Sequence, residues 1–243
     1  MKKPHLLVII ALGSLLAAPA IAESLDQEFE RLYQEWDASP IQWDATTDNI
    51  IRSDRISQSS IDSRYTNNPA WRKMLDLGVE AVPLLIKKME THYGAVKLVQ
   101  DITKWRYHIN RTGTPGSFVW TVEEFPDERE TTGYPDGIRL IKRWWVEFRP
   151  QVPQRFAALY KEYTSLKDQG KKEEAEQKFQ RIKDLGIDVL PLLIDKIQQG
   201  DTSLIPAVAY LTDKKVPESA SPSECVSWWA ANKAKFTLPP PTE

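Results

Sequence analysis

The chain has 243 residues, of which 41% are hydrophobic and 27% are charged, and its formal net charge is −2. This composition is typical of a folded globular domain rather than of a disordered chain. The mild acidity argues against a nucleic-acid partner, because phosphate-binding surfaces are built from clustered Lys and Arg. The single cysteine, Cys225, excludes an internal disulfide, so the fold depends on packing alone.

Residues 1–22 have the pattern of a cleavable secretory signal. Lys2 and Lys3 precede an apolar run of about 13 residues, which is followed by a small-x-small triplet ending at Ala22. A spanning helix needs roughly 20 apolar residues, so an uncleaved anchor is the weaker alternative. We therefore expect cleavage near Ala22, a periplasmic or secreted mature protein, and no integral membrane association.

Two segments of the mature chain nearly repeat each other. Residues 76–89, DLGVEAVPLLIKKM, match residues 184–197, DLGIDVLPLLIDKI, at eight of fourteen positions. Three further matches occur in the same order along the chain: Phe29, Leu32, Tyr33 and Trp36 with Phe156, Leu159, Tyr160 and Tyr163; Ile102-Thr103 with Leu211-Thr212; and Trp144-Trp145 with Trp228-Trp229. We interpret the chain as two copies of one unit, 23–149 and 150–236, followed by a Pro-rich tail at 237–243. Within this tail, 239–243 is expected to be stiff and disordered.

Both copies are predicted to be helical. The first aromatic group in each copy has the i, i+3, i+4, i+7 spacing of one helical face. Gly78 and Gly186 lie where a helix end requires a residue that tolerates positive φ, and Pro83 and Pro191 fit the first turn of the next helix. The leucines after each proline are expected to be mostly buried: Leu84, Leu85, Leu192 and Leu193. The tandem tryptophans of both copies are expected to share a structural role in the core.

The repeated segment carries a family resemblance. Residues 77–85, LGVEAVPLL, and 185–193, LGIDVLPLL, resemble the "lG..AvP.Li" segment of HEAT-type helical repeats. The segments 95–103 and 204–212 resemble the next helix of such an array. The resemblance implies an all-α fold, either a HEAT-like α-α solenoid or a compact helical repeat bundle, that binds other macromolecules through a concave face. It implies no catalytic residue.

Copy one carries two insertions, near 37–68 and near 104–135, that copy two lacks. The first is polar and is interpreted as a surface excursion between helices. The second has six aromatic residues among 32 and a strand-like run at 118–122, which predicts a β-hairpin or an ordered loop.

The aromatic insertion allows two interpretations. Exposed aromatic side chains dominate binding hot spots, and four residues are the candidates here: Trp105, Tyr107, Trp120 and Phe125. Their partner would be a protein or a peptide, with carbohydrate as the alternative. In the second interpretation, the same side chains pack as a lid over the hydrophobic seam near Trp144 and Trp145.

The sequence contains little that indicates catalysis. His92 and His108 have no neighbouring His or Cys at metal-ligand spacing, and no phosphate-loop, dinucleotide or serine-hydrolase motif occurs, so no metal or cofactor is expected. Glu123 and Glu124 lie among the aromatics, as a glycosidase would require. The leading hypothesis is an exported, non-enzymatic interaction module. The alternatives are a cell-wall or carbohydrate-acting enzyme and a periplasmic toxin inhibitor of the immunity type.

Overall fold

A computed structural model describes five parts of the chain: 24–38, 68–89, 94–114, 117–130 and 136–241. The predicted signal and most of the first insertion lie outside these residues. The described parts are mostly helical and contain one small antiparallel sheet, which confirms the predicted helical class. Within these ranges, no helix has both the length and the apolar character needed to cross a bilayer.

The helices before the sheet are α1 (Leu25–Asp37), α2 (Pro69–Asp76), α3 (Val82–Lys88) and α4 (Gly94–Thr103). Helix α1 begins with a capping box in which Ser24 and Gln27 exchange side-chain-to-backbone hydrogen bonds. Its buried face is the predicted aromatic stripe, and Trp36 meets Trp71 of α2 edge-on at 5.6 Å between ring centroids. Helices α1 and α2 pack together, and α3 packs on α4.

The helices after the sheet are α5 (Gly137–Arg143), α6 (Val152–Asp168), α7 (Lys172–Asp184), α8 (Leu190–Gln198), α9 (Ile205–Leu211) and α10 (Pro222–Asn232). A π-helical turn, Trp144–Phe148, and a 3₁₀ turn, Arg149–Gln151, connect α5 to α6. Further 3₁₀ turns precede α3, α8 and α9 and follow α10. Helices α6 and α7 form the most extensive antiparallel helix pair, and this pair faces the sheet.

The second insertion forms a three-stranded antiparallel sheet, ordered β1 (Ile109–Thr114), β2 (Ser117–Val122) and β3 (Phe125–Glu130). The predicted hairpin is confirmed as the β1–β2 pair, in which Ile109 lies opposite Val122. Strand β3 was not predicted, because its sequence, FPDERE, has low β propensity. It lies at the sheet edge, where Pro126 removes no essential ladder hydrogen bond.

The repeated segments 76–89 and 184–197 have the same order of local elements. In each, a helix ends, a glycine takes positive φ, and a 3₁₀ turn leads into the next helix. The φ angle is 67° at Gly78 and 80° at Gly186, as the sequence predicted for both. The four leucines after the prolines all contact the core, but only one of each pair is fully buried: Leu85 and Leu193 are enclosed, whereas Leu84 and Leu192 are half-buried.

Helices α4 and α9 end in the same way, which is a second local match between the two halves of the chain. The buried hydroxyl of Thr103 donates to the Val99 carbonyl at 2.7 Å, and that of Thr212 donates to the Val208 carbonyl at 2.8 Å. The residue after each threonine has positive φ, 58° at Lys104 and 50° at Asp213. These two residues form an ion pair of 2.8 Å between the Lys104 ammonium and the Asp213 carboxylate.

The tandem tryptophans, predicted to share one structural role, have different environments. Trp144 and Trp145 lie in the π-helical turn and are buried. Trp228 and Trp229 lie on the regular helix α10 and are only half-buried. The first pair is followed by a 3₁₀ turn and by α6, whereas the second pair lies on α10, the last α-helix described.

The Pro-rich tail packs on the chain at its start, and the predicted disorder of 239–243 is wrong for the first residue of that segment, Pro239. Leu238 is buried in the core, and the Pro239 carbonyl accepts a hydrogen bond from Arg149 Nη1 at 3.1 Å. The Arg149 guanidinium lies 4.2 Å from the centre of the Trp145 ring and pairs with Asp188 at 3.1 Å. Burial raises the pKa of Asp188, and the charge of Arg149 opposes that rise. Arg149 thus holds the tail against the chain.

Candidate functional site

Two of the four predicted contact residues lie in the hydrophobic core. Trp105 is 0% exposed and stacks on Trp144 with 5.3 Å between ring centroids. Phe125 is 4% exposed and meets Phe148 edge-on at 6.1 Å. The Arg143 guanidinium covers the Phe125 ring at 4.4 Å. Trp105 and Phe125 therefore offer almost no area to a partner, and their packing matches the lid interpretation.

The other two candidates are placed differently. Tyr107 is half-buried, and its ring centroid lies 5.6 Å from that of Trp105. Trp120 is in the middle of the sheet, where its backbone lies opposite Arg111 on β1 and Glu130 on β3. The side chain of Trp120 lies outside the described part of the structure. Tyr107 and Trp105 are thus brought together, but not as an exposed pair.

A cleft of about 200 Å³ separates one end of the sheet from the α6–α7 pair. Its lining combines charged side chains with an apolar floor: Arg106, His108, Glu123, Glu124, Arg155, Arg181 and Asp184 are polar, and Phe148, Ala158, Leu159 and Leu185 are apolar. The charged groups come from the strand connections on one side and from α6 and α7 on the other. The cleft is therefore the junction between the insertion and the second half of the chain.

His108 connects the two walls of the cleft. Its Nδ1 lies 2.6 Å from Glu124 Oε1, and its Nε2 lies 3.0 Å from Asp184 Oδ2 on α7. Burial by itself would lower the pKa of His108. The hydrogen bonds to Asp184 and Glu124, together with the charge of Glu124, outweigh burial and raise the pKa to about 9. At neutral pH the imidazolium therefore donates to both carboxylates.

Further contacts fix the sheet to α7. Arg181 forms an ion pair with Glu123 and lies 3.8 Å from Glu124. The Arg106 backbone N–H donates to the Asp184 carbonyl at 3.0 Å, and Gln180 donates to the Asp184 carboxylate at 2.9 Å. The carboxylates of the cleft thus have partners, and their positions are set from both walls.

This arrangement has consequences for chemistry. Both nitrogens of His108 are engaged by carboxylates, so neither is available to accept a proton from a bound molecule. Glu123 and Glu124, the carboxylates that a glycosidase would use, are held by Arg181 and His108. Among the residues that the structure describes, no group of three or more His, Cys, Asp or Glu side chains could hold a metal ion. The charged groups of the cleft are thus mostly paired with one another.

No family model, no curated protein and no solved structure matches this chain.

The role of His108 was not predicted, although part of the signal is present in the sequence. His108 precedes β1 and Glu124 closely follows β2, so the hairpin register alone brings them near each other. The His108 backbone N–H also donates to the Glu124 carboxylate at 2.8 Å. Asp184 lies 76 residues further along, and no local pattern connects it to the hairpin.

The His108 bridge predicts a pH dependence of stability. The ordinary pKa of a histidine is 6.5 and the pKa of His108 in the folded protein is about 9, so the folded state binds the proton more tightly. The resulting stabilisation is fully present below pH 6.5 and is lost as the pH rises through about 9. We expect the free energy of unfolding to fall by about 2–3 kcal/mol across this window. Urea denaturation at several pH values measures it.

The control for this experiment is His108→Gln, which keeps a polar side chain but cannot titrate. The difference in unfolding free energy between wild type and variant should shrink as the pH rises from 6.5 to 9, because only wild type loses a charge at this position. Other groups that titrate in this range are present in both proteins and cancel. A pH-independent difference would show that folding does not raise the pKa of His108.

Proposed function

We propose that this protein is an exported, non-enzymatic interaction module that binds a protein or a peptide. We further propose that it is built from two copies of a HEAT-like helical unit. The signal-like pattern at 1–22 supports export. The matching helix–glycine–helix segments and the paired terminations of α4 and α9 support the duplication.

The observation that carries the proposed function is the position of the cleft. It forms where the sheet, the insertion present only in the first proposed copy, meets α6 and α7 of the second copy. Drug-sized and cofactor ligands fill pockets of about 300–1,000 Å³, whereas this cleft encloses about 200 Å³. A cleft of this size suits one side chain or one chain end of a larger partner. Its fixed ion pairs suit recognition, because they are preorganised before binding.

Blocking the cleft tests this function. Ala158 on α6 is exposed and lines the cleft, so Ala158→Trp fills the opening without replacing a core side chain. Affinity capture from the envelope of the native host, with mass spectrometry of the bound proteins, should recover a partner with wild-type bait. The same partner should be lost with Ala158→Trp, and its affinity for purified wild type should exceed that for the variant at least tenfold.

Ala157→Trp is the matched control. Ala157 is the preceding residue on the same helix. It is also exposed, but it does not line the cleft. The variant adds the same bulk and the same apolar surface, so it should retain the partner. Identical captured proteins with all three baits would contradict the assignment of function to the cleft. Loss with both variants would indicate that the partner binds another part of α6.

A further inference from the structure

Arg155 is placed differently from the other cationic groups of the cleft. Arg181 and His108 form ion pairs with cleft carboxylates, and Arg106 lies 3.7 Å from Asp101. Arg155 forms no ion pair within the described parts of the chain. Its Nη2 donates only two long hydrogen bonds, both of 3.3 Å, to the Glu124 carbonyl and to the side chain of Gln151. Its Nε–H is buried and has no hydrogen-bond partner.

The guanidinium of Arg155 is held in one orientation by its platform. It lies 4.3 Å from the centre of the Phe148 ring, and Phe148 is buried against Trp105 and Phe125. Burial lowers the pKa of Arg155, although the charges of Glu124 and Glu123 act in the opposite direction. An arginine that is partly desolvated, fixed on an aromatic ring and not paired retains donors for an incoming acceptor.

The free donors of Arg155 favour an occupant that supplies a hydrogen-bond acceptor. Four cationic side chains, His108 included, and three carboxylates line the cleft, and Arg106 lies 3.7 Å from a fourth carboxylate, Asp101, so the charges balance. The three carboxylates are already engaged by His108, Arg181 and Gln180. Arg155 is thus the cationic side chain of the lining that no carboxylate of the described chain contacts directly. The neighbouring floor is apolar and is formed by Phe148, Leu159 and Leu185.

We propose that Arg155 is the anchor of this cleft and binds a carboxylate of the partner, with the apolar floor covering the methylene groups next to it. This inference rests on the proposed function and specifies its ligand chemistry. The carboxylate can belong to an Asp or Glu side chain or to a polypeptide chain end. Guanidinium groups bind either carboxylate through paired N–H donors, which gives the pair its directionality.

Titrations with small probes test the chemistry in the purified protein. The Nε–Hε signal of Arg155 is observed by NMR while acetate or its neutral isostere acetamide is added. Acetate should bind saturably with about millimolar affinity, and acetamide should not. N-acetylglutamate α-amide and N-acetyl-glycylglycine then separate a side-chain carboxylate from a chain end. The tighter binder of the two identifies the source.

Two substitutions of Arg155 should weaken the binding of the carboxylate probes. Arg155→Gln removes the charge and should weaken binding of the preferred probe at least tenfold. Arg155→Lys keeps the charge but lacks the planar fork, so it should weaken binding severalfold. Arg139→Gln, outside the cleft, should bind as wild type does. The proposal is overturned if acetamide binds as well as acetate, if no titration saturates, or if Arg155→Gln binds unchanged. The comparison of acetate with acetamide uses wild type, so it stands even if a variant fails to fold.

Failure of this inference and failure of the proposed function have different signatures. If Ala158→Trp abolishes capture of a partner while carboxylates do not bind at Arg155, the cleft binds its partner through other chemistry. If carboxylates bind at Arg155 but capture does not depend on the cleft, the anion site stands and the partner-binding role of the cleft does not.

Discussion

Replacement of Trp105 by Ala is expected to lower the free energy of unfolding by about 3–5 kcal/mol, which is the usual range for removing a buried aromatic side chain. Trp105 is 0% exposed and lies among Tyr107, Trp144 and Phe148. The truncation would leave a cavity that these rings cannot close, because each is held by its own neighbours. The measurement is urea denaturation. A lower midpoint urea concentration with an unchanged m-value would show that the substitution lowers stability.

Trp228→Ala is the control for this change. Trp228 is half-buried on α10 and meets Phe236 edge-on at 5.2 Å, so its removal should lower stability by less than half as much.

Trp105→Phe keeps an aromatic ring and removes a buried indole N–H that has no partner in the described structure. It should fold and should bind any captured partner with wild-type affinity. If Trp105→Phe folds with unchanged stability but binds the partner more weakly, Trp105 is a contact residue after all.

The fold could be predicted where the signal is local. The aromatic stripe of α1 and the glycine turns at Gly78 and Gly186 follow from spacing and from backbone preference, and the structure contains them. The β1–β2 hairpin follows from a strand-like run at 118–122. Strand β3 could not be predicted in the same way, because edge pairing to β2 overrides its weak intrinsic propensity.

The candidate site was predicted less well, because its members meet only after the insertion docks on α6 and α7. An aromatic-rich insertion has the same composition whether it packs as a lid or presents contacts. Trp105 and Phe125 become core residues through Phe148, which belongs to the π-helical turn beyond the sheet. Likewise, Arg155 is an ordinary helical arginine in the sequence. Only the tertiary structure places it over an aromatic ring and beside carboxylates that other groups already contact.

Gly186→Ala is the second change expected to have a large effect. Gly186 has φ 80° and ψ −167°, a region that is essentially restricted to glycine. A Cβ atom there would lie 2.6 Å from the Thr103 carbonyl oxygen and 2.9 Å from the Trp105 nitrogen. Both neighbours are backbone atoms, so no side chain can rotate away. We expect a loss of about 3–5 kcal/mol in the free energy of unfolding, measured by urea denaturation.

Gly78→Ala is a control that the chain itself provides. Gly78 occupies the matching position of the repeated segment with φ 67°, but a Cβ atom there would have nothing within 4 Å. Only backbone strain remains, so the expected loss is about 1–2 kcal/mol. Equal losses in the two variants would contradict the close approach of the chain after α4 to the turn before α8. A larger loss at Gly186 would mean that the same glycine turn has two roles: at Gly78 it ends a helix, and at Gly186 it also lets Trp105 and the sheet dock beside Asp184, one wall of the cleft.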